Sequence, residues 1–281
     1  MSSGAVGSVV VPAHDEASVI TSCLDALFTG VSPGQLEVVV SCNGCSDNTA
    51  SVVRALPYPV TVLEQATASK PAALRLADSV SSTLPRLYLD ADVQLQGRSA
   101  LAVLFVLQDN GPLAARPRAH YDTSRASWPV RSYYRARAGL PSINGSLWGA
   151  GVYGLSRRGR ERFDQFPDVV ADDLFVDSLF RDDEIDVVDC TPVVVQVPHT
   201  TADLLRVLRR SQRGKAEAHG GGGAGRSSTA VTVAEVRRLA SRAPRSTADA
   251  AVFAALGAWA RIGSARSPDA PWERDASSRE A

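Results

Sequence analysis

Short runs of apolar, mostly β-branched residues alternate with segments of helical spacing over the first ninety residues of the chain. The predicted strands are residues 8–11, 36–40, 60–63 and 86–89, and the predicted helices between them are 17–28, 50–56 and 71–79. Strands that are apolar throughout and separated by helices belong to sheets buried on both faces. The alternation therefore predicts an α/β fold with a mainly parallel sheet flanked by helices.

Polar side chains with ligand-binding chemistry lie next to these predicted strands and helices. They are His14, Asp15 and Glu16 after the first strand, Asn43 and Asp47 after the second, Lys70 before the third helix, and Asp90 and Asp92 after the fourth strand. In open α/β sheets, ligands bind beyond the carboxyl ends of the strands. We therefore expect these side chains to line one crevice.

Asp90 and Asp92 are separated by one residue at the end of an apolar run. Side chains two positions apart in an extended strand share a face, so both carboxylates can bind one divalent cation. The alternative is a solvated turn whose carboxylates cap the next helix. The grouping of nucleotide-binding chemistry at successive strand ends favours the cation.

Four segments of the first half resemble the family 2 glycosyltransferases of the GT-A fold. They are VVVPAHDEASVI, VVVSCNGCSDNT, SKPAALRLAD and the Asp90-Ala91-Asp92 motif. The resemblance spans residues 8–214 and implies a GT-A type, Rossmann-like sheet and a nucleotide-sugar donor. It implies that the donor's nucleotide contacts Pro12, Ala13, Glu16, Asn43, Asp47, Lys70 and Asp90.

The same resemblance implies a divalent cation, Mn²⁺ or Mg²⁺, bound by Asp92. Asp90 would contact either the ribose or a metal-bound water. Through such a water it would belong to the metal site. Asn43 stands where the family carries an Asp that reads the base. Because an amide can donate as well as accept, the identity of the base stays open.

Motifs in the second half resemble the acceptor and catalytic segments of that family. GAGVYGLSRRGRERF resembles its small-residue strand, and VVADDLFVDSLF resembles its acidic pair at a helix start, with Asp173 in the position of the catalytic base. His199 stands where many GT-A enzymes have a metal-ligating His, and Arg210 and Arg213 resemble its diphosphate contacts. Gly214 follows Arg213 where polymerising members have an aromatic residue, which argues against a processive synthase.

Each motif also has a structural explanation. Asp172 and Asp173 can cap a helix, and at such a position the helix dipole favours the charged carboxylate. Residues 149–154 match the G-x-G-x-x-G dinucleotide pattern, but the segment before them is too broken by Asn and Gly to be the required strand. Cys42 and Cys45 have C-x-x-C spacing, yet no second pair or nearby His completes a zinc set in the sequence.

Composition is consistent with a soluble enzyme that has one main domain. The 281 residues include thirty basic and thirty acidic ones, so the formal net charge is zero. No overall electrostatic attraction therefore favours nucleic acid as a partner. No segment reaches the roughly 20 apolar residues of a membrane span and no leader precedes the first strand, which predicts a cytoplasmic protein. The alternative is that the protein docks at the cytoplasmic face of the membrane through its C-terminal helices.

The predicted domains are a glycosyltransferase domain at 1–214, a flexible Gly-rich lid or linker at 215–230, C-terminal helices at 231–263 and a disordered tail at 264–281. The second of these helices carries Val252, Phe253, Leu256 and Trp259, predicted to lie on one side.

The function predicted from these observations is an inverting, metal-dependent transfer of a sugar to a hydroxyl acceptor, which can be a glycan, a lipid-linked molecule or a small molecule. The alternatives are a catalytically silent protein that binds sugar nucleotides and a sugar-phosphate nucleotidyltransferase.

Overall fold

The backbone in this computed structural model is described for residues 4–169, 171–220 and 229–266, and the side chains for 4–169, 171–212 and 231–263. The chain divides into two compact units. The first unit consists of Met1–His120 and Leu147–Val195, and the second of Tyr121–Ser146 and Gln196–Ala281.

A seven-stranded sheet forms the centre of the first unit, with the strand order β3-β2-β1-β4-β6-β5-β7. The strands are β1 (Gly7–Ala13), β2 (Leu36–Asn43), β3 (Val60–Gln65), β4 (Arg86–Leu89), β5 (Ala114–Asp122), β6 (Val152–Leu155) and β7 (Ile185–Gln196). Strands β1 to β4 pair in parallel, whereas β6 pairs antiparallel with both β4 and β5. The predicted α/β fold with a mainly parallel sheet is confirmed.

Helices cover both faces of this sheet. Those of the first unit are α1 (Ile20–Phe28), α2 (Thr49–Ala55), α3 (Lys70–Val80), α4 (Gly97–Val106), α7 (Arg157–Arg160) and α8 (Asp172–Ser178). Successive β1 side chains enter different cores, because Val9 packs in the cluster that contains Leu24 of α1, and Val10 packs in the cluster that contains Leu74 of α3. Burial on both sides explains why β1 is apolar at the successive positions Val9, Val10 and Val11.

Strand β1 continues through Pro12 to Ala13, two residues beyond its predicted end. Pro12 pairs with Ser41 and Ala13 with Cys42, whereas the pairing of β1 with β4 ends at Val10. A proline has no N–H to give to a neighbouring strand. Pro12 is tolerated here because it lies past the last residue that pairs with β4.

The second unit is helical and has its own apolar cluster. It contains α5 (Trp128–Ala138), α6 (Pro141–Asn144), α9 (Thr201–Gly220), α10 (Thr229–Ala240) and α11 (Pro244–Arg266), so the C-terminal helices are confirmed. Leu256 and Ala260 of α11 are buried in the cluster with Leu204, whereas Trp259 is 60% exposed. The prediction that Trp259 lies on the same side as Val252, Phe253 and Leu256 was wrong, since those three residues pack in or against this cluster.

The predicted domain limits stay predictions, although the helices cross two of them. Helix α9 extends through residue 214 to Gly220, and α11 extends through residue 263 to Arg266. Residues 221–228 of the predicted lid or linker, and 267–281 of the predicted tail, lie outside the described residues. Among the described residues, no helix combines the length and the hydropathy that a membrane crossing needs.

Candidate functional site

The loops after β1 and β2 are joined by side-chain hydrogen bonds. Asn43 is 4% exposed; its Nδ2 donates to the carbonyl of Ala13 at 2.8 Å, and its Oδ1 accepts from the N–H of Ser69 at 3.1 Å. Asn43 therefore fixes the ends of β1, β2 and α3 relative to one another. A contact from Asn43 to a base would require one of these bonds to be exchanged.

Two further residues expected at the nucleotide also hold the backbone in place. The carboxylate of Asp47 is exposed and accepts from the N–H groups of Ala17 and Thr49. Glu16 is buried, and its own N–H donates to Thr49 Oγ1 at 2.8 Å. Both residues thus stabilise the path from β1 to α1, and nucleotide contacts by them stay predictions.

Asp90 and Asp92 lie in a turn, not in an extended strand. Strand β4 ends at Leu89, and the N–H of Val93 donates to the carbonyl of Asp90 at 3.1 Å, which closes a four-residue turn. The expectation that the two carboxylates share a strand face was wrong, because the turn sets their directions. Asp92 is exposed and the Asp90 side chain is 40% exposed, so both carboxylates are accessible.

Two glycines with positive φ form the segment that faces this turn. Gly149 has φ 80° and Gly151 has φ 66°, and the carbonyl of Gly151 accepts from the N–H of Asp90 at 2.8 Å. Such φ values are strained for other residues. The glycines lead into β6 instead of joining a strand to a helix, which agrees with the rejection of a dinucleotide-binding motif.

Lys70 connects the turn to the acidic pair at the start of α8. Its Nζ lies 2.8 Å from Asp90 Oδ1 and 2.7 Å from Asp172 Oδ1. Burial lowers the pKa of Lys70, but the carboxylates of Asp172 and Asp90 outweigh it and raise that pKa, so the ammonium stays charged. Asp172 is 3% exposed and also accepts from the Tyr153 hydroxyl at 2.8 Å.

Asp173 follows in the first turn of α8, as predicted, and points to a different partner. Its Oδ2 accepts from the N–H of Gly149 at 3.0 Å and its Oδ1 from the N–H of Leu174 at 2.8 Å. Burial, and then the charge of Asp172, raise the pKa of Asp173 to about 6, although Lys70 acts in the opposite direction. This direction is opposite to the one expected from the helix dipole, because burial has the larger effect.

Lys70, Asp90, Asp172 and Asp173 line one cavity together with Pro12. Predicted site residues from β1, α3, the turn after β4 and α8 are therefore brought together. Tyr153 and Gly151 belong to the same cavity and were missed as site residues. Their position inside the GAGVYG segment was the available signal, since that segment resembles the family's small-residue strand that leads into a helix under the acceptor site.

Three further predicted site residues, His199, Arg210 and Arg213, belong to the second, helical unit. His199 lies just before α9, and its carbonyl accepts from the N–H of Ser127 at 2.8 Å. Arg210 is half-buried on α9, and the side chain of Arg213 lies outside the described residues. Metal binding by His199 and diphosphate binding by the two arginines stay predictions.

The fold is that of several solved glycosyltransferases. A mannosyltransferase from Pyrobaculum calidifontis in complex with GDP-Man and Mn²⁺ is 21% identical, with a TM-score of 0.63 over 95% of this chain and 81% of that one. Glucosyl-3-phosphoglycerate synthase from Mycobacterium tuberculosis, with Mn²⁺, UDP and glucosyl-3-phosphoglycerate, is 18% identical, with a TM-score of 0.52 over 76% of this chain and 79% of that one. TarS 1-349 from S. aureus with UDP is 14% identical, with a TM-score of 0.52 over 91% of each chain.

None of the curated proteins matches this chain significantly. The model of the family described as glycosyl transferase family 2 matches residues 8–168, which is more than half of the chain. That span contains the four segments of the first half on which the resemblance of the sequence depends. The chain therefore belongs to glycosyl transferase family 2 and is a glycosyltransferase.

Proposed function

We propose that this chain transfers a sugar from a nucleotide-diphosphate donor to a hydroxyl acceptor, with a divalent cation and with inversion at the anomeric carbon. The observation that carries the proposal is the cavity in which Lys70, Asp90 and Asp173 come together. The donor class is supported by the similar structures that hold GDP-Man or UDP with Mn²⁺. Because those two complexes differ in their base, the proposal leaves the base open.

Asp90 and Asp92 have the chemistry to hold Mn²⁺ or Mg²⁺, since hard cations prefer oxygen ligands. Gly151 keeps space beside them, because a Cβ there would lie 3.4 Å from Asp90 Oδ2 and only 2.4 Å from Val93 Cγ2. When bound, the cation neutralises negative charge on the departing diphosphate. His199 is a further proposed ligand on the strength of the resemblance.

Lys70 is proposed to bind the donor diphosphate while it keeps its two carboxylate partners. An ammonium group has three N–H donors, and Asp90 and Asp172 use two of them. The third can donate to a phosphate oxygen. Arg210 and Arg213 are proposed as additional diphosphate contacts, since guanidinium groups bind phosphate in a bidentate manner.

Asp173 is proposed as the general base. The acceptor oxygen attacks the anomeric carbon, the bond from that carbon to the diphosphate oxygen breaks, and the acceptor proton moves to the Asp173 carboxylate. With a pKa of about 6, this carboxylate is mostly ionised at neutral pH. The N–H groups of Gly149 and Leu174 fix its orientation and leave a lone pair free on each oxygen.

Thermal unfolding with a panel of nucleotide sugars, each with Mn²⁺ and with chelator, tests the donor and the cation. At least one nucleotide sugar should stabilise the protein, and more strongly with Mn²⁺ than with chelator. Asp92→Asn should remove the difference, whereas Asp189→Asn, which changes a carboxylate with 85% exposure, should keep it. Equal stabilisation with and without Mn²⁺ would contradict the role of the cation.

The cytoplasmic location also remains a proposal, with peripheral membrane contact as its alternative. Trp259 and Ile262 of α11 are large apolar side chains that are 60% and 55% exposed. Cosedimentation of the full chain with anionic vesicles tests the contact. Vesicle binding that disappears in Trp259→Ser would support membrane association. Equal amounts of protein in the pellet with and without vesicles would contradict it.

A further inference from the structure

His14, Asp15 and Cys45 form a cluster of three different metal-binding side chains on the surface of the first unit. One ligand atom from each, a ring nitrogen, a carboxylate oxygen and the Sγ, all lie within 4.8 Å of one another. All three side chains are half-buried. Parallel pairing of β1 with β2 produces the cluster, because Ala13 is level with Cys42 and the loops after both strands leave side by side.

The His14 ring is held in an orientation typical of a metal ligand. Its Nδ1 lies 2.6 Å from the carbonyl oxygen of Asn43, a contact that is favourable only when Nδ1 carries the proton. The lone pair of the ring is then on Nε2. Histidines that bind metals usually donate their other N–H to a carbonyl or carboxylate in this way.

The Asp15 carboxylate is also held by its neighbours. Its Oδ1 accepts from the N–H of Ser46 at 2.6 Å and from the N–H of Asp47 at 3.2 Å. Asp15 itself has a positive φ of 51°, a conformation that Asp tolerates better than most residues. These contacts fix the carboxylate beside Cys45 before any ligand arrives.

Two backbone groups hold the side chain of Cys45 in place. The N–H of Asp15 donates to its Sγ at 3.5 Å, and the thiol donates to the carbonyl of Ala13 at 3.6 Å. Cys42, the other member of the C-x-x-C pair, is 2% exposed, so Cys45 is the sulfur at the surface.

We propose that His14, Asp15 and Cys45 bind a zinc-class divalent cation, with water as the fourth ligand. Nitrogen and sulfur ligands favour Zn²⁺ and Co²⁺ over Mg²⁺ and Mn²⁺, which prefer oxygen. Binding releases the Cys45 thiol proton to solvent. Ligand atoms around a tetrahedral zinc are roughly 3.5 Å apart, as follows from Zn–N and Zn–S bonds of about 2.0 and 2.3 Å. The cluster therefore has to contract by little more than ~1 Å.

This site is separate in kind from the oxygen-only pair Asp90 and Asp92, and it does not depend on the proposed function. Along the chain no second pair or nearby His completes a zinc set for the C-x-x-C pair, and the proposed site takes its other ligands from a distant segment. His14 and Asp15 come from the loop that follows the neighbouring strand β1, and only one of the two cysteines takes part.

Titration of the full chain with Co²⁺ tests the site, because a cobalt–thiolate bond absorbs in the near ultraviolet. The protein is first stripped with chelator, kept reduced by a phosphine, and given excess Mg²⁺ to saturate the oxygen-only sites. We expect one equivalent of Co²⁺ to produce the absorption and one equivalent of Zn²⁺ to abolish it. Absence of the absorption in the reduced wild-type chain would overturn the proposal.

Variants then identify the ligands. Cys45→Ser should abolish the absorption, and Cys190→Ser, which changes the other half-buried cysteine, should keep it. His14→Gln should weaken Co²⁺ binding by at least the ~10- to 100-fold seen when even an outer partner of a metal site is removed. Absorption that survives in Cys45→Ser, or that disappears in Asp92→Asn, would assign the metal to another place. Far-ultraviolet circular dichroism verifies folding, and His14→Gln decides the question if Cys45→Ser fails to fold.

Discussion

Replacement of Lys70 by Met should destabilise the protein by leaving a negative charge buried. Asp172 has a side chain that is 5% exposed, and it pairs with the ammonium of Lys70 and accepts from the hydroxyl of Tyr153. Met has nearly the shape of Lys but carries no charge. The variant therefore removes the cation and keeps most of the packing.

The expected magnitude follows from the exposure of the three partners. Removal of one member of a buried ion pair costs about 3 to 5 kcal/mol. Lys70 is 32% exposed, so water can partly solvate the remaining carboxylate and the lower end, about 3 kcal/mol, applies. Asp172→Asn should cost only about 1 kcal/mol, because Lys70 keeps Asp90 and solvent.

A double-mutant cycle separates the charge pair from its surroundings. In Lys70→Met with Asp172→Asn no charge is left at the buried position 172, and the new amide oxygen can still accept from Tyr153. Asp90 also loses Lys70, but its side chain is 40% exposed and water can solvate it. We expect the double variant to lose about 2 kcal/mol, less than the sum of the single changes, which is a coupling of about 2 kcal/mol. Arg54→Met is the control, since Arg54 pairs with Glu64 at the surface and should lose no more than ~1 kcal/mol.

Urea unfolding followed by circular dichroism measures these differences, with equal slopes required across the variants. Additive losses in the double variant would refute the buried-pair reasoning. The single variant Lys70→Met also has a second readout, because Lys70 lowers the pKa of Asp173. In Lys70→Met the acidic limb of the activity profile should therefore move to higher pH.

Four further predictions concern the site. Nucleoside diphosphate should bind more tightly with Mn²⁺ than with chelator in calorimetry, and Asp92→Asn should remove this difference. Asp173→Asn should lower turnover by ~100- to 10,000-fold with almost unchanged nucleotide affinity, and the wild-type product should have the opposite anomeric configuration to the donor; retained configuration in an NMR assay would contradict a single displacement. In the wild type, kcat/KM should fall about tenfold per pH unit below pH about 6, because protonated Asp173 cannot accept the acceptor proton. Gly151→Ala should cost ~1 to 3 kcal/mol in urea unfolding, since φ is 66° and a Cβ would meet Val93 at 2.4 Å; unchanged stability would contradict this.

The parts of the fold that were predicted from the sequence have strong local signals. Strand β4 has the predicted bounds, and α3 begins one residue before Pro71, with Ser69 as the N-cap that accepts from Ala72. Burial on both faces makes the centres of β1 and β2 apolar, and a Ser N-cap followed by Pro marks the start of α3. The acidic pair at the start of α8 was located in the same way, from its sequence motif.

Side-chain directions and partners could not be predicted, because they depend on the sheet order. The hydroxyl of Tyr153 bonds to Asp172 only because β6 lies beside β4, an arrangement that places Tyr153 opposite Tyr88. The amide of Asn43 is used by Ala13 and Ser69, which lie 30 and 26 residues away in the chain. No local pattern encodes such contacts.

Two opposing effects act on the pKa of Asp173, and their balance can be judged only from the structure. A helix N-terminus alone would favour the carboxylate, and burial alone would favour the acid. Lys70 and the Gly149 N–H favour the carboxylate as well, and the balance leaves the pKa at about 6. A base with that pKa is ionised at neutral pH and still accepts a proton more readily than an ordinary, exposed Asp does.

The zinc-class cluster follows from the same sheet geometry. Along the chain, Cys45 is 30 residues from Asp15, and the sequence shows only a C-x-x-C pair without a partner. In a parallel sheet, neighbouring strands end at the same edge, so residues just past two strand ends become neighbours whatever their separation. The register of Ala13 with Cys42 then brings His14 and Asp15 to Cys45 and leaves Cys42 buried. Metal ligands in such a fold have to be sought across the strand ends, because spacing along the chain does not reveal them.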